Sequence, residues 1–250
     1  SESAARKHFG GASDFLPQAS IDEVFHAVEA GGVAYGIVPV ENSTEGAVGR
    51  TLDLLLASSS SICGEVKLRV RQHFLTQAPE VGAVKRIYSH SQSLAQCQDW
   101  LARHAPGVSQ IAVASNAEAA RMASVEADAA AIAGEAAGNL YGLNFLASDI
   151  EDDPNNTTRF LVIGSHDAGP TGRDKTSLVC SAPNRPGAVF YLLECFAHHG
   201  VSMSKLESRP SRTGLWEYVF YIDVEGNRHD EPVSKALAEL QDRAAFVKVL

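Results

Sequence analysis

Apolar positions recur along the chain at two periods, every second residue and every third or fourth, and the two periods take turns. Val33, Tyr35 and Ile37 alternate into Val38-Pro39-Val40, which predicts a strand ending at a proline. A helix is expected over 45–56, with Ser43 or Thr44 as its N-cap. Residues 84–88 form a second short strand that leads into a helix over 91–104, where Leu94, Cys97 and Leu101 keep helical spacing. Residues 111–114 read as a strand, and Ser115-Asn116-Ala117-Glu118 then makes a capping box that opens an alanine-rich helix. Strands over 129–133, 145–148 and 159–163 complete this part. The alternation is that of an α/β fold, in which sites gather at the carboxyl ends of strands.

The pattern breaks over 164–174, where Gly164, Gly169, Pro170 and Gly172 make a linker. Beyond it the order is strand 176–181, helix 186–199, strands 201–208 and 216–224, helix 232–243 and a strand from 246. That is βαββαβ, the ferredoxin-like order. The domains read here are 1–165 and 174–250. A 77-residue unit of this order leaves one sheet face and one edge open, and a second copy is expected to cover them.

Composition narrows the classes. The 250 residues are 45% hydrophobic and 20% charged, which is ordinary for a globular chain with a real core. The formal net charge of -9, with no basic-aromatic stretch, disfavours nucleic-acid binding. No apolar run reaches the ~18 residues of a membrane span, and no signal peptide opens the chain, so a cytoplasmic protein is expected. Cys63, Cys97, Cys180 and Cys195 form no C-x-x-C pair, which points to reduced thiols and to no metal site. Phosphate-binding and dinucleotide-binding glycine motifs are missing too, so nucleotide and flavin cofactors have no support.

The densest polar cluster is Asn155-Asn156-Thr157-Thr158-Arg159-Phe160, between the acidic loop Glu151-Asp152-Asp153 and an apolar strand. A hydroxyl beside a guanidinium can hydrogen-bond a leaving oxygen while the cation holds a carboxylate. A turn closed by asparagines with a solvated arginine fits the same spacing. Glu41-Asn42-Ser43-Thr44 and Ser89-His90-Ser91-Gln92 each stand where a strand gives way to a helix, which suits carboxylate binding and equally suits plain capping. In the second domain, Asn184-Arg185-Pro186-Gly187-Ala188-Val189 lets a ligand approach the backbone at a helix start. Glu207-Ser208-Arg209-Pro210 offers opposite charges that could bracket a zwitterion, or form a weak surface pair.

In this order, Val38-Pro39-Val40-Glu41-Asn42-Ser43, Ser89-His90-Ser91-Gln92-Ser93-Leu94-Ala95-Gln96-Cys97 and Thr158-Arg159-Phe160 resemble the signatures of prephenate dehydratases. Gly187-Ala188-Val189 and Glu207-Ser208-Arg209-Pro210 resemble those of the ACT regulatory domain attached to them. Val189 stands where leucine is usual in the family, and Ser91 where proline is common. The family opens with a strand and a glycine loop, and this sequence begins at what looks like the end of that loop. Some relatives carry a chorismate mutase domain further upstream.

The resemblance implies a two-lobed, periplasmic-binding-protein-like catalytic domain, with lobes of about 1–78 plus 150–165 and 79–149. It implies dehydration and decarboxylation of prephenate to phenylpyruvate without a cofactor. Thr158, Arg159 and Phe160 are then the catalytic motif, with Asn42, Ser43, Ser89, His90 and Gln92 holding substrate. It also implies L-phenylalanine as an inhibitor bound by Asn184, Gly187, Ala188, Val189, Glu207, Ser208, Arg209 and Pro210. A homodimer or homotetramer is expected, and removal of 174–250 is expected to leave an active, phenylalanine-insensitive first domain. A two-lobed binding module without catalysis, and an arogenate dehydratase, share the architecture.

Overall fold

The computed structural model describes residues 1–11, 13–182, 185–211 and 217–250. Helices α1 (Glu2–Phe9) and α2 (Ile21–Glu29) open the chain, neither of them expected from periodicity. Ser20 caps α2 by accepting from Glu23 N at 3.2 Å, and Phe25 and Val28 give that helix a buried face. Strand β1 (Tyr35–Asn42) keeps the expected alternation, with Val38, Val40 and Asn42 buried.

The helix expected over 45–56 starts later. Asn42 Oδ1 accepts from Thr44 N (3.0 Å) and Glu45 N (3.2 Å), and Gly46 takes φ +83°. The two-residue strand β2 (Gly46–Ala47) therefore folds back on the end of β1. Helix α3 (Gly49–Ala57) follows with Val48 at its N-cap, so neither Ser43 nor Thr44 caps it.

Strands β3 (Ser61–Arg69) and β4 (His73–Thr76) come next, then β5 (Arg86–Ser89). The helix expected over 91–104 divides at Cys97 into α4 (Ser91–Gln96) and α5 (Gln98–His104). Asp152 holds the start of α5 by accepting from Asp99 N (3.0 Å) and Trp100 N (3.2 Å). Strand β6 (Ser109–Ala112) precedes α6 (Asn116–Val125), which Ser115 caps through Glu118 N at 3.1 Å, as the sequence predicts. Strand β7 (Ala129–Ala133), α7 (Glu135–Leu140), β8 (Asn144–Ala147) and β9 (Thr157–Gly164) follow. Then β10 (Lys175–Ser181), α8 (Ala188–His198), β11 (Met203–Pro210), β12 (Tyr218–Glu225), α9 (Glu231–Arg243) and β13 (Phe246–Val249) give the expected βαββαβ order. Trp216, expected to begin a strand, lies outside the described residues.

The chain forms two compact units, 69–158 and 1–68 with 159–250. The first of these holds a five-stranded sheet ordered β6-β5-β7-β4-β8. Its centre, β7, is buried on both faces: Ala130 and Ile132 join one core, and Ala129, Ala131 and Ala133 the other. Alanines at 119, 120 and 123 of α6 are fully buried in that second core, so small side chains let helix and sheet approach closely. Strand β4 pairs antiparallel with β7 and β8, so residues 73–76 belong to this sheet and not to the first lobe, where the sequence reading placed them.

The other unit holds two four-stranded sheets, β2-β1-β9-β3 and β11-β12-β10-β13. Alternation decides what each face of the second sheet meets. Leu178, Cys180, Ile222 and Val224 pack under α8 and α9 with Leu192, Phe196, Val233 and Leu240. Val179, Val219 and Tyr221 point the other way, into a core with Phe25, Val28, Val38, Val40, Leu52, Leu55, Leu161 and Ile163. The face expected to await a second copy is therefore closed within this chain, by α3 and its neighbours. Polar bonds fasten the contact. Tyr221 donates to Leu52 O (2.7 Å), and Lys248 Nζ donates to Leu55 O (2.9 Å), Leu56 O (3.1 Å) and Ser58 O (2.5 Å). Lys248 thus satisfies the last carbonyls of α3, where a cation is favoured.

This shared core means that 174–250 covers apolar side chains of α3 and its neighbours. Leu55, 1% exposed, is its sharpest probe. Leu55→Ala is expected to lower stability by about 2–5 kcal/mol in urea unfolding. Hydrogen exchange should accelerate both in α3 and in β10; acceleration confined to α3 would mean the two halves do not share a core.

Candidate functional site

Strand β9 carries the Thr158-Arg159-Phe160 motif, and its alternation separates the members. Phe160 is buried with Ala4, Val66 and Val162 on one face. Leu161 and Ile163 lie on the other, in the core that reaches the second sheet. Thr158 shares the face of Phe160, whereas Arg159 shares that of Leu161. A hydroxyl and a guanidinium that are neighbours in sequence therefore stand on opposite faces of β9.

Arg159 is engaged elsewhere. Its side chain is 11% exposed; Nε donates to Glu65 Oε2 at 2.6 Å and Nη1 to Asp223 Oδ2 at 2.5 Å. Glu41 Oε2 stands 3.7 Å away. Burial alone would lower the Arg159 pKa, but Asp223 and Glu65 outweigh it and hold the group above its ordinary value. Two nitrogens of the fork that the sequence reading offered to a substrate carboxylate are thus held by the protein's own carboxylates.

Asn42 is 7% exposed, and its Oδ1, besides the two backbone amides, accepts from Thr44 Oγ1 at 2.6 Å. Its amide oxygen shapes the turn that presents exposed Ser43. The first helix-start motif is thus a side-chain-closed turn.

The second motif lies in the 69–158 unit. Ser89 is fully buried, with Oγ 2.7 Å from Ile132 O and 3.0 Å from Asn116 Oδ1, so its hydroxyl faces the interior. Asn116 Oδ1 also accepts from His90 N (3.0 Å), while its Nδ2 donates to Ser93 Oγ (2.8 Å). Gln72 Nε2 donates to the same Ser93 oxygen (3.0 Å), and Gln72 N to Glu151 Oε2 (2.9 Å). His90 Nδ1 accepts from Gln92 N at 3.3 Å and caps α4. His90 and Gln92 stay partly or fully accessible, with His90 placed by a buried amide relay. Ser93, Gln72 and Glu151 were not singled out for a site from sequence. Asn116 was visible only as part of a capping box.

The acidic tripeptide has structural employment. Glu151 accepts from Gln72, Asp152 caps α5, and Asp153 Oδ1 accepts from Asn155 N at 2.8 Å. Among the described residues no three His, Cys, Asp or Glu side chains are grouped to hold a metal ion. Burial pushes the thiols of Cys97 and Cys180 up to about 12, so both are protonated.

Beside the β11-β12-β10-β13 sheet, Gly187 takes φ +75° at the N-cap of α8, a conformation open to glycine, and Ala188 and Val189 begin the helix. Asn184 lies outside the described residues. Strand β11 alternates: Ser208 and Pro210 are exposed, while Glu207 and Arg209 share the half-buried face. Arg209 Nε donates to Asp53 Oδ1 of α3 at 3.0 Å, so it ties the sheet to α3.

A family model described as prephenate dehydratase matches residues 1–168, and one described as ACT domain matches 176–242. The bifunctional chorismate mutase/prephenate dehydratase of Neisseria gonorrhoeae is 51% identical over 252 residues, covering 100% of this chain and 70% of that protein. The prephenate dehydratase of Arthrobacter aurescens, solved in complex with L-Phe, matches with TM-score 0.90 and 33% identity over 100% of this chain and 84% of that one. A structure described as a novel type of quorum quenching acylase, GqqA, matches with TM-score 0.88 and 28% identity over 100% of this chain and 92% of its own.

The carboxylates around Arg159 make stability depend on pH. Burial alone would raise the Glu65 pKa, but Arg159 and Lys175 outweigh it and hold the group below its ordinary 4.5. A depressed folded pKa stabilises the fold above the unfolded value and loses that effect as pH falls through the folded one. The gap in thermal midpoint between parent and Glu65→Gln should therefore be full above pH 4.5 and shrink below it. A gap that widens on acidification would reverse the sign assigned to Glu65. Arg159→Ala, which removes the cation shared by Glu65 and Asp223, should cost about 3–5 kcal/mol in urea unfolding.

Proposed function

We propose that this chain, which belongs to the prephenate dehydratase family and carries an ACT domain, converts prephenate to phenylpyruvate, water and carbon dioxide. The observation that carries the reading is the match of the prephenate dehydratase model over 1–168, together with Thr158 at the start of β9. Aromatisation of the ring supplies the driving force, so the protein's task is to hold a dianion and help a hydroxyl leave. Oriented donors are sufficient for both, without a cofactor.

Thr158 is the residue we assign to the departing hydroxyl, on the face of β9 away from Arg159. Asn42, Ser43, His90 and Gln92 are our candidates for the carboxylates, with Ser89 acting through its neighbours because its own hydroxyl is buried. Phe160 anchors the strand from beneath. Arg159 we read as holding β9 in place. L-phenylalanine, at Gly187, Ala188, Val189 and the β11 segment 207–210, would lower the activity.

A second copy fits the outer edge of β11, which pairs only with β12 among the described residues. Leu206 (47% exposed), Met203 (40%) and Phe190 (64%) give that side apolar surface. A homodimer, or a tetramer built from it, follows. No helix among the described residues is long and apolar enough to cross a membrane, and a biosynthetic role fits the cytoplasm.

Incubation with prephenate, followed by phenylpyruvate absorbance, tests the assignment. Thr158→Ala should lower kcat by ~10²–10⁴, and Thr158→Ser should retain much more activity. Near-parental turnover in the alanine variant would remove Thr158 from the chemistry. Arogenate in the same assay decides between keto and amino substrates, and an acylated amine tests the acylase reading. Leu206→Lys should shift the mass measured by light scattering toward the monomer.

A further inference from the structure

Two cross-strand rows of side chains face each other where the ACT sheet meets the first lobe. On the lobe side, neighbouring strands β1, β9 and β3 contribute Glu41, Arg159 and Glu65. On the ACT side, Lys205 and Ser177 are both in register with Asp223 across β11, β12 and β10, and Lys175 stands two residues from Ser177. The charges match in order. Lys205 Nζ lies 3.1 Å from Glu41, Asp223 lies 2.5 Å from Arg159, and Lys175 lies 3.2 Å from Glu65.

Three cations thus oppose three carboxylates, and the exposed Lys67 approaches Glu65 only at 3.9 Å. Lys205 is 9% exposed with no hydrogen bond of good geometry, so its charge depends on Glu41 for compensation. Asp223, also 9% exposed, is fixed on its other oxygen by Ser177 Oγ at 2.6 Å.

The lobe-side residues are chain neighbours of the candidate site. Glu41 precedes Asn42, and Arg159 follows Thr158. Because side chains alternate along β9, Thr158 stands on the opposite face from Arg159, whereas Asn42 alternates with Val38 and Val40 on the side of the core shared with the ACT sheet.

We propose that Asp223 of the ACT sheet is a positioning residue for the site, holding β9 through Arg159 so that displacement of β12 is transmitted to Thr158. Lys205 holds the end of β1 through Glu41 in the same way. This rests on the reading of Thr158 and Asn42 as site residues. A small movement of the sheet breaks the match between rows, since each charge then faces a like charge or none. The rows therefore have one favourable register, and the lobe strands follow the ACT sheet or lose their pairing.

The test uses the full chain with Asp223→Asn, which keeps the shape and removes the charge. Phenylalanine binding by calorimetry should stay within about threefold, while the inhibition it causes should fall from the ~5- to 150-fold range of such couplings toward none. A merely structural Asp223 would lower stability and leave that ratio unchanged. Exchange of backbone amides over 39–44 and 157–160, without substrate or effector, should be faster in the variant. If the parent neither turns over prephenate nor binds phenylalanine, the functional reading fails, and the exchange measurement alone decides this inference. Unchanged inhibition with unchanged exchange overturns it. Should Asp223→Asn fail to fold, Ser177→Ala, which frees only one Asp223 oxygen, carries the same two readouts with a smaller expected change.

Discussion

A βαββαβ sheet has two faces, and its two helices can cover only one of them. In this chain α3 of the first lobe closes the other, through Leu52 and Leu55 against Val179, Val219 and Tyr221. Burying each large aliphatic side chain contributes about 1.5–3 kcal/mol, so a handful of them exceeds any single ion pair at the same boundary. The contact reaches from Phe25 to Tyr221 through one core. The regulatory sheet is consequently a wall of the catalytic lobe. Arg209 on Asp53, Tyr221 on Leu52 O and Lys248 on the last carbonyls then grip α3 at three levels.

Apolar burial has no direction, and a greasy contact between a helix and a sheet can slide. The charged rows beside it supply the register that the core lacks. Their cost is desolvation, which the pairing offsets only if each charge meets its partner. Arg159 suits the central place because its planar fork reaches Glu65 and Asp223 from different nitrogens, which a lysine cannot do from one. The core therefore sets how tightly the two sheets are held, and the rows set where.

What the sequence disclosed follows from how local each signal is. The βαββαβ order was legible because every element carries its own period, and Ser115 announced α6 because capping is decided within four residues. Helix α1 was missed, its Ala4 and Ala5 buried by later elements and not by a strong apolar stripe of its own. Asn42 misled for a related reason. The same residues that cap a helix also close a turn, and only Gly46 and the return of β2 decide between them. The candidate motifs were recognisable by resemblance, whereas spacing alone favoured a turn with a solvated arginine. Nothing near Arg159 in the chain reveals Glu65 and Asp223, 94 and 64 residues away. Gln72 carried no signal at all, since a buried amide looks like any surface glutamine until Ser93 and Glu151 surround it.

The alternation of β9 has a consequence for how regulation can act. Glu41 and Arg159 belong to the charged rows, and Thr158 stands behind Arg159 on the other face of β9. The strand itself lies between the guanidinium and that hydroxyl. The rows are also neutral in sum, three cations against three carboxylates, which leaves little net field to project through the strands. Influence must therefore travel as displacement of the strands themselves. Catalysis by oriented donors is sensitive to displacement, because a misplacement near 1 Å can cost about 10²-fold in rate. A regulatory sheet that shares a core with the lobe needs only a small motion to exploit that sensitivity, and the same shared core resists a large one.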